Sequence, residues 1–322
     1  DHAFLTLRKT GVTTMKAVEL LARALEVDSK DAGHAGLKDR HAITTQTVSF
    51  LFPQDRDLEQ AVAALDLEGI EILGAARHEH KLRTGHLRGN RFRITLRELE
   101  PGAETSIRTR LDELAAEGVP NAFGPQRFGR DGNNPERALA WLSGQARGPR
   151  NRSMQRLLFS SVQSLLFNQV LERRVADGTW NRVLPGDLAK KHDSGGQFLV
   201  PSATDELADA SSRAAAGQIS PTGPIFGAKM RWPESEVAGI EREILSSSGL
   251  DEPLLKTFKR LGKGTRRPLR MMVDQASCEP GSEHSFLTVS FVLPKGGYAT
   301  TVLSELCQIT DLARSSPPSP ST

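Results

Sequence analysis

Lys38-Asp39-Arg40 is the stretch of this chain with the clearest chemical potential, one carboxylate set between two cations. It lies within His34-Ala35-Gly36-Leu37-Lys38-Asp39-Arg40-His41-Ala42, a small glycine-containing run that leads into a β-prone segment, Thr44 to Leu51. Nearby positive charge favours the ionised carboxylate. An anionic Asp at the end of a strand on a basic surface reads as a nucleophile or a base. The same triplet also reads as a solvated turn, since structural ion pairs are the commoner outcome.

Two clusters of cations surround that candidate in sequence. The first is Arg77, Lys81, Arg83, Arg88, Arg91, Arg93 and Arg97, with His78, His80 and His86 among them. It ends in Arg91–Leu96, whose alternation puts Phe92, Ile94 and Leu96 on one strand face and Arg91, Arg93 and Thr95 on the other. A row of arginines on a sheet face suits a phosphate backbone, and equally suits an exposed, well-solvated face. The second cluster is Lys256, Lys259, Arg260, Lys263, Arg266, Arg267 and Arg270. Near the C-terminus, Leu293-Pro294-Lys295-Gly296-Gly297-Tyr298-Ala299-Thr300 ends a strand, turns on two glycines and opens a helix, where free N–H groups can meet an anion. Tyr298 is the single tyrosine of the chain.

Other constellations are set aside. His78-x-His80 has no third ligand at metal spacing. Gly262-Lys263-Gly264-Thr265 follows a helix and lacks the earlier glycine of a phosphate loop. There is no Gly-x-Ser-x-Gly and no dinucleotide fingerprint. No apolar run approaches the ~20 residues of a membrane span. The 322 residues suggest about two domains, and the basic residues are clustered at a sequence pI of about 9.0, which points to an anionic partner. Cys278 and Cys307 are far apart, which favours a reducing compartment, hence the cytoplasm.

The elements that must position these groups follow from local pattern. Residues 3–8 alternate as a strand. Thr13 or Thr14 caps a helix with apolar positions Met15, Val18, Leu21 and Leu25. Residues 44–52 and 70–73 read as strands, 57–65, 105–117 and 135–143 as helices, and 118–134 as a long Gly/Pro/Asn loop containing two phenylalanines. The longest helical period, 152–177, is the expected spine of a second domain. Short strands over 182–200, a helix over 205–215, a turn-rich connection at 222–227, helices over 234–247 and 253–261, and returning strands at 269–273 and 286–293 complete the reading. Residues 315–322 are expected to be a disordered tail.

Several of these stretches together resemble the TruD family of tRNA pseudouridine synthases. They are Ala35–Ala42 with Thr45 and Gln46; Arg77-His78 with Lys81-Leu82-Arg83-x-Gly85 and Leu87-Arg88-Gly89-Asn90-x-Phe92; Gly118–Gly129; Leu166-Phe167-Asn168-Gln169; and Leu293–Thr300. They occur in family order across nearly the whole chain. The resemblance implies an α+β fold: a mixed-sheet pseudouridine synthase core, 1–117 and 273–314, carrying an inserted helix-rich TRUD domain, 118–272, in a V-shaped arrangement. It implies that an N-terminal strand of the family, with a base-contacting Phe, precedes the first residue.

By the same resemblance the chain isomerises a uridine of tRNA, at the family's position thirteen, to pseudouridine. Asp39 matches the catalytic aspartate. Asn90 and Phe92 match residues that hold and stack on the uracil, and Tyr298 stands where the family usually has Phe. Lys38, Arg40, Lys81, Arg83, Arg88, Arg127, Arg266 and Arg267 are the RNA-backbone candidates. No cofactor, metal or membrane is implied, tRNA is the partner, and a monomer is expected. Whether Asp39 attacks C1′, attacks C6 or removes the C2′ proton stays open at this point.

Overall fold

The alternation of residues 3–8 becomes β1 (His2–Lys9), which turns Ala3, Leu5, Leu7 and Lys9 inward. The structure is a computed structural model that describes residues 1–129, 131–281 and 286–308. Its chain divides into two compact units, residues 1–89 and residues 90–322. The expected C-terminal tail lies outside the described residues.

In the first unit, β1 is followed by α1 (Thr14–Ala24), β2 (Gly33–His34), β3 (Thr44–Leu51), α2 (Leu58–Ala63) and β4 (Ile70–His78). The sheet order is β2-β3-β1-β4, with antiparallel pairing of β1 to both neighbours. Thr13 caps α1 by accepting from the Lys16 N–H at 3.2 Å. The helix packs Val18, Leu21 and Leu25 against Leu5, Leu7, Val48 and Phe50. Met15, expected on that face, is 57% exposed. The buried stripe runs through positions 14, 17, 18, 21 and 22, and residue 15 lies off its edge at 100° per residue. β4 runs five residues beyond the expected end at Leu73, because its whole length pairs with β1, as far as His78 opposite His2.

The second unit opens with β5 (Gly89–Leu96), α3 (Ala103–Glu117) and β6 (Val119–Pro120). It continues through α4 (Asn134–Leu142), α5 (Arg152–Ala176), β7 (Leu188–Lys191), β8 (Gln197–Leu199), α6 (Thr204–Ala215) and β9 (Ile219–Ile225). Then come α7 (Ser235–Ser247), α8 (Glu252–Thr257), β10 (Thr265–Pro268), β11 (Arg270–Met271), β12 (Asp274–Pro280), β13 (Leu287–Pro294) and α9 (Ala299–Leu306). β5, β12 and β13 form a sheet in the order β12-β13-β5. Its apolar face, with Phe92, Ile94, Val289 and Phe291, packs on Ile107, Leu111 and Leu114 of α3 and Val302 of α9.

Between β6 and β11, which pair antiparallel, residues 121–269 build cores of their own around α5 and the sheet β10-β9-β7-β8. Arg270 fixes the return by donating to the Ala214 carbonyl at 2.7 Å and the Ala116 carbonyl at 3.2 Å.

Three expectations are corrected here, and one strand is added to those expected from the sequence. Residues 222–225 of the expected turn-rich connection belong to β9, an almost wholly buried strand. Its first half pairs with β7 and its second half with β10, so each proline has a ladder on one flank, the setting that tolerates a missing N–H. Gly223 is required by packing, because a Cβ there would lie 2.9 Å from the Phe167 ring of α5. The helix expected over 253–261 ends at Thr257. The strand expected over 269–273 shrinks to β11, and β12 is a strand that local pattern did not announce, its seven residues mostly polar and held by the ladder to β13.

Candidate functional site

Asp39 sits in the loop between β2 and β3, exposed at the surface of the first unit. Beneath that loop, the side chain of Lys9 is 1% exposed, and its ammonium donates to the carbonyls of Asp39 (2.7 Å), Val12 (2.7 Å) and Lys38 (3.4 Å). The Lys38 N–H donates to Thr14 Oγ1 at 2.8 Å, and Thr14 Oγ1 in turn donates to Gln46 Oε1 at 3.2 Å. The backbone around Asp39 is thus fastened from below by three buried polar side chains, on β1, α1 and β3. Burial pulls the Lys9 ammonium below its ordinary value, and the Asp39 carboxylate pushes it back up.

Arg40 does not simply bracket the carboxylate. Arg40 Nε donates to the Gly11 carbonyl at 3.1 Å, while an Asp39 carboxylate oxygen accepts the His41 N–H at 3.0 Å, a short local turn. Leu37 and Ile43, at 68% and 72% exposure, present apolar surface on either side of the loop.

Lys81, Arg83 and Arg88 belong to the segment that follows β4. Leu82 is buried there and its N–H donates to Ser49 Oγ at 3.0 Å, which pins the segment to β3. Gly33 is needed at this point, since a Cβ would run into the Leu82 carbonyl. Arg83 and Arg88 are exposed, and Lys81 is half-buried with its ammonium 3.5 Å from the Lys30 carbonyl.

In the second unit, Asn90 and Phe92 lie on β5. Phe92 is half-buried, its ring tilted 37° to Phe291 at a centroid distance of 5.7 Å. Tyr298 occupies the N-cap position of α9, also half-buried, with no capping hydrogen bond from its side chain. The turn that presents it closes with a hydrogen bond from the Gly297 N–H to the Pro294 carbonyl at 3.0 Å. Gly296 takes φ +81°, a left-handed value that favours glycine, and a Cβ on Gly297 would collide with Met271 Sδ.

The arginine candidates of this unit separate sharply. Arg127 is half-buried, its Nε donating to Ser164 Oγ at 3.2 Å. Arg267 stacks on Phe123 at 4.2 Å, donates to the carbonyls of Asn121 and Gly296, and is pulled down to about 10 by burial. Arg266 is corrected outright as a backbone-phosphate contact. Its side chain is 1% exposed and forms a bidentate pair with Glu241, both bonds at 2.7 Å, while its Nε donates to Thr222 Oγ1 at 3.0 Å. A guanidinium so enclosed has no face left for RNA. Period-2 alternation along β10 decides which of the two adjacent arginines goes inside.

Sequence reasoning missed Lys9, although a signal was present: the lysine falls on the inward phase of β1. It also missed Lys190, beside Lys191 on β7, and did not single out Lys295 within the Leu293–Thr300 turn. Among the described residues no group of three His, Cys, Asp or Glu side chains is placed to hold a metal ion, and no helix is long and apolar enough to cross a membrane.

Comparison with known proteins adds to this geometry. The model of the family tRNA pseudouridine synthase D (TruD) matches residues 1–142 and 143–306. The chain is 42% identical over 314 residues to tRNA pseudouridine synthase D of Anaeromyxobacter sp. (strain Fw109-5), covering 95% of this chain and 85% of that protein. It is 41% identical over 310 residues to a protein of the same name from Thermus thermophilus, covering 96% and 82%. A crystal structure from Methanosarcina mazei assigned to tRNA pseudouridine synthase D superimposes with a TM-score of 0.72 at 25% identity, covering 95% of this chain and 87% of that one.

Proposed function

The chain belongs to the tRNA pseudouridine synthase D (TruD) family, and from that premise we propose that it isomerises a uridine of tRNA, at position thirteen, to pseudouridine. The family match over residues 1–306 carries this reading. The reaction breaks the N1–C1′ bond, turns the uracil and joins C5 to C1′, with the C5 proton released and a proton taken up at N1; it is redox-neutral.

In this reading Asp39 is the catalytic carboxylate. The fastening of its backbone by Lys9 and Thr14 supports the role, because a reacting group must be held close to its working position. The uridine is extruded from its stack to reach Asp39, at a cost of a few kcal/mol. Phe92 and Tyr298 offset that by stacking, at ~1–3 kcal/mol per base, and Asn90 presents an amide to a uracil edge. Lys38, Arg40, Lys81, Arg83, Arg88, Arg127 and Arg267 contribute positive charge to the RNA backbone.

The synthase core comprises 1–117 and 273–314, with 118–272 inserted. The pairing of β6 with β11, where the chain leaves and returns, supports that division, as do the separate hydrophobic clusters of 122–269.

The test is release of tritium from C5-labelled uridine in unmodified tRNA. Wild type releases it. Asp39→Asn, folded and still binding tRNA, loses about 10²–10⁴-fold in rate. Near wild-type turnover by that variant would remove Asp39 from the mechanism, and tRNA binding without tritium release by wild type would leave only an RNA-binding protein.

A further inference from the structure

The second unit contains a concavity of about 260 Å³ lined by five cationic residues; Arg266 is already paired with Glu241, and the other four converge from four elements. Arg127 comes from the short 3-10 turn Pro125–Phe128, Lys190 from β7, Arg267 from β10 and Lys295 from the turn after β13. No carboxylate lines it among the described residues. The acid nearest in the hydrogen-bond network, Glu241, lies behind the wall and is consumed by Arg266.

The two arginines are fixed by neutral acceptors, so they are placed without being neutralised. Arg127 is tied through Nε to Ser164, and Arg267 through Nε and Nη2 to Asn121. The terminal nitrogens of Arg127, Nη1 of Arg267 and the ammonium groups of Lys190 and Lys295 make no side-chain hydrogen bond among the described residues. Like charges gathered in this way repel one another. Burial lowers the Lys190 ammonium below its ordinary value, with Lys295 and Arg267 adding to the shift. A bound anion would relieve both effects.

We propose that this concavity is a phosphodiester subsite that holds one backbone phosphate of the RNA beside the uridine being isomerised. The placement beside that uridine follows from Arg267, whose Nη2 also donates to the Gly296 carbonyl at 3.2 Å, in the turn that presents Tyr298. The inference rests on the pseudouridine synthase reading for the identity of its RNA, and on the geometry for the anion.

The experiment compares wild type, Lys190→Gln/Lys295→Gln and Lys190→Arg/Lys295→Arg in binding unmodified tRNA over a range of salt. Each is also tested on tRNA carrying randomly ethylated phosphates, and tritium release is followed in parallel. The Gln pair raises Kd by about tenfold and lowers the slope of log K against log salt by about 1. The Arg pair binds as wild type does. Ethylation of one phosphate within a few nucleotides of the target uridine blocks wild type and leaves the Gln pair indifferent at that position.

A Gln pair that melts no lower than wild type yet keeps its Kd, salt slope and ethylation pattern overturns the subsite. So does stabilisation of wild type by millimolar inorganic phosphate through these lysines with tRNA binding unaffected by their loss, which would make it a free-anion site. If wild type shows the interference at this phosphate but releases no tritium, the synthase reading fails and the subsite stands.

Discussion

The ammonium of Lys9, buried under the sheet of the first unit, donates to the backbone carbonyl of Asp39 at 2.7 Å. A residue 30 positions away in sequence therefore sets where the proposed catalytic loop lies. Lys9→Met keeps the length and removes the three donors. It leaves buried carbonyls unpaired at about 1–3 kcal/mol each, partly offset by relief of the lysine's own desolvation, so stability falls by about 2 kcal/mol. Misplacement of Asp39 lowers kcat about 10–100-fold with KM little changed. Urea unfolding and steady-state tritium release measure the two effects. Lys9→Arg does not restore the rate, since a planar guanidinium cannot reproduce the compact ammonium.

The pair Arg266–Glu241 supports the fold and stays out of RNA binding. Arg266→Met strands a buried carboxylate and destabilises by about 3–5 kcal/mol, whereas Arg266→Met/Glu241→Leu recovers most of that loss. At a temperature where the double variant is folded, its Kd for tRNA matches wild type. Weaker binding with a smaller salt slope would return Arg266 to the RNA-contacting set.

Gly33→Ala forces a methyl into the Leu82 carbonyl and against Ser49 Oγ. Overpacking of this kind costs about 1–3 kcal/mol. It also displaces Lys81 and Arg83, so tRNA affinity falls more than the loss of folded fraction explains. Thermal melting together with binding at low temperature separates the two contributions.

Lys190 links stability to pH in a definite direction. Its folded-state value is lowered by burial and by Lys295 and Arg267. Between that value and the ordinary one near 10.5, the unfolded chain binds more protons than the folded chain, so stability rises with pH across this window. Below it, the charge is a standing penalty. Lys190→Gln therefore raises stability at neutral pH, by up to about 1 kcal/mol for a partly exposed charge, and its advantage shrinks as pH climbs towards 10.5. Denaturant melts at about pH 7 and about pH 10 give the difference. A variant less stable than wild type at neutral pH would show that Lys190 has a compensating partner.

Much of this architecture is local in origin and legible before folding. β1 and β5 follow from period-2 alternation, β3 from its β-branched and aromatic residues, α1 and α5 from helical period, and the Thr13 cap from a side chain that accepts the Lys16 N–H. The proposed site residues came from ordered motifs shared with a family, and the turn of Pro294–Tyr298 could be drawn from its two glycines.

Other features depended on neighbours distant in sequence. β9 reads as a turn because proline and glycine dominate it locally; only β7, β10 and the close approach of α5 make it a buried strand. Arg266 and Arg267 are indistinguishable as adjacent cations until β10 sends one to Glu241 and leaves the other against Phe123. Lys190 and Lys295 acquire meaning only where β7 and the turn after β13 bring their charges together. Sequence by itself determined the elements and the residue types capable of chemistry, because hydrophobic period and capping act over a few residues. Tertiary structure alone decided which charges are spent inside and which stay available, because burial and pairing are set by contacts between segments far apart in the chain.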